Sequence, residues 1–123
     1  MPSTARSHIA WLLFACSLPG LAHAFPDGST RPTAGDVGTH VAGRVFDVAL
    51  ADGTTWRLQY TGHGYLFVDT SKGFRGEGQW RSEDGQLCSQ LRGRPAGCNE
   101  VRLHQGVLHL QRDSGEIIRL LPR

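Results

Sequence analysis

At 123 residues, with 13 basic and 11 acidic side chains and a formal net charge of +2, the chain has room for one domain. All its bases but Lys72 are arginines, and they form no clustered basic face of the kind that nucleic acid or an anionic membrane requires. Sixteen glycines, many beside Asp, Ser or Gln, point to turns rather than helices.

Residues 1–24 have the pattern of a secretory signal peptide. Arg6 is the basic start, Ile9–Ala15 the apolar run, Pro19-Gly20 the breaker and Ala22-His23-Ala24 the small-x-small end. The apolar run is too short to anchor in a bilayer, so no membrane span is expected after cleavage. Loss of Arg6 lowers the net charge from +2 to +1. A second reading places a lipid on Cys16, because Leu13-Phe14-Ala15-Cys16 loosely matches a lipoprotein box. Both readings export the protein, and the first leaves it in the periplasm.

Residues 25–42 are rich in Pro, Gly, Ser and Thr without a sustained period, which predicts a flexible lead-in. Glycines 35 and 38 oppose a stable helical turn near Asp36–Val41. From Gly43 to the end, turn signals recur every eight to twelve residues and no helical-length apolar stripe appears. The spacing predicts strands at 43–50, 54–60, 65–70, 76–83, 86–91, 97–104, 107–112 and 116–121.

Turn lengths fix which residues oppose each other, because side chains alternate faces with period two. A three-residue loop at Ala51-Asp52-Gly53 sets Val48 against Trp56 and Phe46 against Leu58. A two-residue Asp84-Gly85 turn sets Trp80 against Ser89 and Ser82 against Leu87. Turns at Gln105-Gly106 and Asp113-Ser114-Gly115 stack Val101, Leu110 and Ile118 in one row and Leu103, Leu108 and Leu120 in the next. One face thus gathers the apolar residues. At Thr61–Gly64 two registers fit: a four-residue loop turns Phe67 and Asp69 inward, and a five-residue loop turns Leu66 and Val68 inward.

The expected fold is all-β, an antiparallel up-and-down meander of about eight short strands over residues 43–123. It closes into a small barrel or stays an open half-barrel, with a sandwich as the other alternative. Of the three cysteines, Cys88 and Cys98 remain after cleavage, on the face opposite the apolar one and across one hairpin. In an exported protein such a pair predicts a disulfide.

The segment Gly78-Gln79-Trp80, Gly85-Gln86-Leu87-Cys88 and Cys98-Asn99-Glu100-Val101 resembles the G-x-W-x-x-x-x-G-x-L-C…C-x-x-V core of small exported proteobacterial proteins of unknown function. The likeness extends over roughly residues 40–121, with Arg44 and His63-Gly64 departing from that family's pattern. The resemblance implies a periplasmic, lipocalin-like β fold with the disulfide. It implies no activity.

Catalytic signals are weak. No nucleophile elbow precedes a helix, and neither Gly73–Gly76 nor Arg92–Arg94 leads into a helix N-terminus that would cradle phosphate. His40, His63, His104 and His109 do not converge in the proposed register, so no metal or other cofactor is expected. Arg102, His109 and Arg119 fall in one cross-strand row, an outward anion patch in which like charges keep His109 neutral below its usual value. Trp56, Tyr60, Tyr65, Phe67 and Trp80 are aromatics for one end of the barrel, as ligand lining or as core. Phe74, in a loop between Lys72 and Arg75, either meets a partner or folds back as a lid. Val107, Ile117 and Leu121 form an outward apolar patch that suits a weak homodimer contact or a bed for the lead-in.

The expected function is therefore a non-catalytic exported module that binds a small ligand or an envelope protein. The alternative is an inhibitor or immunity-type protein acting through its loops.

Overall fold

A computed structural model describes residues 23–123, so the leader and the Cys16 lipidation reading lie outside the described residues apart from His23 and Ala24. One helix, α1 (Ala34–Val41), precedes eight strands. They are β1 (Arg44–Ala49), β2 (Thr55–Tyr60), β3 (Tyr65–Thr70), β4 (Arg75–Glu83), β5 (Gln86–Leu91), β6 (Gly97–His104), β7 (Val107–Gln111) and β8 (Ile117–Pro122). Each strand pairs antiparallel with its sequence neighbour, and β1 pairs with β8, so the sheet is a closed barrel rather than a half-barrel or sandwich.

The closing seam is short. Phe46 opposes Pro122 and Asp47 opposes Leu121, and the Arg123 N–H donates to the Val45 carbonyl at 2.9 Å.

Turn chemistry sets every register expected from the sequence. Val48 opposes Trp56, Trp80 opposes Ser89, Val101 opposes Leu110 and Leu110 opposes Ile118. Gln105 and Gly106 both take positive φ (51° and 77°), the conformation whose twist matches a two-residue hairpin. Between β2 and β3 the five-residue loop is the one adopted, because Tyr60 opposes Leu66. Leu66 and Val68 therefore face the core, and Phe67 and Asp69 face out.

The lead-in is not a flexible tether. Thr33 caps α1, its hydroxyl accepting from the Asp36 N–H at 3.2 Å, and Val37 and Val41 are fully buried against the barrel core. The Asp84 carboxylate accepts from the Ala34 N–H at 2.8 Å, and the Gly85 N–H donates to the Pro32 carbonyl. Gly38 is the reason the helix can sit so close: a Cβ there would lie 3.2 Å from the Ser82 hydroxyl. The glycine that weakens the isolated helix is what lets it dock, so packing outweighs propensity. α1 thereby plugs the barrel end formed by the β4–β5 and β6–β7 turns, where His40 also hydrogen-bonds the Gly106 carbonyl.

Cys88 and Cys98 are direct cross-strand partners and are joined by a disulfide, with Cα atoms 3.9 Å apart. The bond points to a non-reducing compartment. No helix among the described residues is long and apolar enough to cross a membrane. Replacing both cysteines by alanine is expected to cost about 2–3 kcal/mol, read as a lowered denaturant midpoint. Gly78→Ala is expected to cost at least as much, about 3 kcal/mol, because its Cβ would fall 1.9 Å from the Gln90 carbonyl oxygen. Gly97→Ala, with nothing within 4 Å of the added Cβ, is the near-neutral control in the same denaturant series.

Candidate functional site

The barrel end opposite α1 stays open. It is ringed by the turns β1–β2, β3–β4 and β7–β8 and by the β5–β6 loop, and leads into a cavity of about 490 Å³. The deep wall is apolar, with Leu58, Leu66, Leu87, Leu110 and Ile118. The rim is polar, with Asp52, Thr54, Lys72, Arg94, Asn99 and Arg112.

The space originates in β4. Alternation turns Gly76 and Gly78 inward, where other strands carry Leu or Val. The Phe74 ring folds back over Gly76, 3.1 Å from where a Cβ would be, and the Arg94 guanidinium stacks on its other side at 4.6 Å from the ring centroid. Phe74 is thus a lid on the cavity, not a free loop aromatic. Across the opening the Arg112 guanidinium lies 4.9 Å over the Trp56 ring and pairs with Glu116. Two arginine–aromatic stacks face each other across one mouth.

The acids at this rim are already occupied. Asp52 accepts from the Thr54 N–H at 2.9 Å and from Lys72 at 3.5 Å. Hydrogen bonding from Thr54, through its N–H, and the nearby Lys72 hold its carboxyl below the ordinary carboxylate range. Glu116, buried, accepts from the Ala51 N–H at 2.8 Å through one oxygen and from Arg112 through the other. Thr54, only 6% exposed, lines the cavity, and its Oγ1 is the one buried side-chain polar atom without a hydrogen-bond partner among the described residues.

The six aromatics suggested by the sequence separate into three groups. Trp56, Tyr60 and Phe74 line the cavity. Trp80 does not: its indole N–H donates to the Thr61 carbonyl at 3.0 Å and its ring meets Tyr60 edge-on below the cavity floor. Tyr65 and Phe67 stand on the outer face, 52% and 43% exposed, because the five-residue loop reverses the strand. Burial pushes the Tyr60 phenol up, so it stays a neutral hydroxyl. Sequence reasoning passed over Thr54, Arg94, Arg112 and Glu116. The inward glycines of β4 were the signal that could have located the cavity, since alternation alone places Gly76 and Gly78 on the core side.

The Arg102–His109–Arg119 row exists in register but makes no open anion patch. Arg102 pairs with Glu100 at 2.9 Å and lies against the Phe25 ring, and His109 is only 6% exposed. His104 and His109 do meet, contrary to the register expectation, because diagonal neighbours on a sheet are within reach of aromatic rings; their centroids are 5.9 Å apart. Among the described residues the only three potential metal ligands within 4.8 Å of one another are Glu83, Cys88 and Cys98, whose sulfurs are joined in the disulfide.

Comparison with protein-family models, with curated proteins and with solved structures finds no match for this chain. The functional reading therefore rests on the geometry.

Burial lowers the His109 pKa first, with His104 and Arg119 adding to the shift and a hydrogen bond to the Val107 carbonyl opposing it. A depressed histidine binds fewer protons folded than unfolded, so stability is retained above the ordinary value of 6.5 and falls as pH drops below it. Thermal melts should show this loss between pH 6.5 and the onset of carboxylate titration, and His109→Gln should flatten that segment of the curve.

Proposed function

We propose that this protein is a non-catalytic, exported, periplasmic binding barrel that takes one small amphipathic molecule into its open end. The observation that carries this reading is the cavity of about 490 Å³, held open by two inward glycines in a barrel otherwise filled by its own side chains. Its volume is within the roughly 300–1,000 Å³ of small-molecule sites, and its apolar depth and polar rim match a molecule with one apolar and one polar end.

The unused hydrogen-bonding capacity at the rim defines that polar end. All four carboxylate oxygens of Asp52 and Glu116 have donors. The Arg94 guanidinium has no carboxylate partner among the ion pairs of the described residues. The charged spare capacity is therefore donor capacity, complementary to an acceptor-rich head such as a carboxylate. The Thr54 hydroxyl adds one more group able to bond a ligand within the cavity wall. The reading of an inhibitor acting through its loops has no comparable observation in its favour.

Decanoate and decan-1-ol share a tail and differ in the head group, so together they test both halves of the reading. Decanoate is expected to shift tryptophan fluorescence through Trp56, and Trp56→Phe to abolish the signal while Trp80→Phe keeps it. Arg94→Gln should weaken decanoate about tenfold and leave decan-1-ol unchanged. If neither molecule binds, the cavity is not a ligand site; if both bind equally, the head-group assignment fails.

A further inference from the structure

Outside the barrel, away from the mouth cavity, the faces of β3, β4 and β5 carry a feature that the interior site does not use. Tyr65 and Phe67 are two of the three exposed large hydrophobic residues among those described, and they sit two apart on one strand. That spacing sets their rings about 7 Å apart along β3. Two shallow grooves, about 560 and 520 Å³, flank Phe67 and share it and Glu77 as the ridge between them. Gly76 lies in one groove and Gly78 in the other, so the strand beneath the ridge adds no inner side chain to thicken the wall.

The polar surroundings of the two rings are specific. Gln59 opposes Phe67 across the β2–β3 pair, and Gln79 opposes Tyr65 across the β3–β4 pair. Gln90 continues the row from Gln79 onto β5. Two of the bases beside them are paired, Arg75 with Asp69 at 3.6 Å and Arg92 with Glu77 at 3.2 Å, while Arg57, which also lines the first groove, is in none of the ion pairs of the described residues. The surface therefore offers aromatic faces, planar amides that both donate and accept, and one guanidinium free to donate.

We propose that this outer face binds an extended β-1,4-linked oligosaccharide lying across both grooves. A pyranose ring presents a flat C–H face, which an exposed aromatic ring covers at little entropic cost. Its equatorial hydroxyls are paired donors and acceptors, which glutamine amides match in one plane. Asp69 and Glu77 are held by Arg75 and Arg92, and the Arg57 guanidinium adds free donors for ring hydroxyls at the first groove. A protein partner fits less well. A standard interface covers about 800 Å² per side around an apolar core, and two rings set among ion pairs do not supply one. Strand addition is unavailable, since a closed barrel has no free edge.

The test is NMR shift mapping of the protein with chitohexaose and with cellohexaose at millimolar concentration. Shifts are expected at Tyr65 and Phe67 and at the side-chain amides of Gln79 and Gln90, with the cavity resonances of Trp56 unmoved. Phe67→Ala should weaken binding about tenfold at an unchanged melting temperature, and Phe67→Tyr should retain it. No shift with either oligosaccharide overturns the proposal, as does binding that survives Phe67→Ala. Tighter binding of a proline-rich peptide to the same residues overturns it as well, and makes the face a protein-docking surface.

Discussion

At Gly78 the backbones of β4 and β5 approach so closely that no side chain fits between them. A sheet of eight short strands can close only if it coils sharply somewhere, and a glycine without a Cβ is where a strand bends at least cost. The same residue, with Gly76, removes two side chains from the interior at that corner. Closure and hollowness thus share one cause. Filling the gap with a larger residue would do more than shrink a cavity, because the added Cβ would meet the β5 backbone at Gln90 and Leu91.

The two ends of the barrel are treated in opposite ways. At one end α1 supplies Val37 and Val41 to the core and is fastened through Asp84, Gly85 and His40. At the other, the turns carry arginines laid over aromatic rings and acids whose oxygens are already bonded. A plug at one end gives the interior a single entrance, and the polarity gradient along the axis gives an entering molecule a single orientation. The outer face of β3–β5 is separate in space and in chemistry, with two rings exposed among glutamine amides.

Much of the fold was legible because turn residues and period-two alternation constrain each other. Asp84-Gly85, Gln105-Gly106 and Gly115 each permit one loop length, and each length must bring apolar residues onto a common face. At Thr61–Gly64 the sequence fitted loops of four and of five residues, and the structure takes the longer one. That one ambiguity moved Phe67 from the interior to the surface. The helix was obscured for a related reason: Gly38 reads as a breaker in isolation and acts as a contact surface once Ser82 is beside it. The rim of the cavity was harder still. Arg94 and Arg112 read as solvated loop charges, and nothing local in the sequence signals that each lies over an aromatic ring.

The order of the strands also has a kinetic side. Every pairing joins sequence neighbours except the β1–β8 seam, which links the first strand of the barrel to the last. Hairpins that close short loops form early, since the entropy of loop closure grows with the logarithm of the separation. The seam must wait until β8 is in place. Until then the chain is a curled sheet with two open edges and an exposed apolar face, the species most exposed to misassembly with another copy of itself. The disulfide lies well inside the sheet, across the β5–β6 hairpin, and stabilises a hairpin that can form before closure. The covalent bond therefore guards the middle of folding, while the last and slowest contact depends on only a few residue pairs.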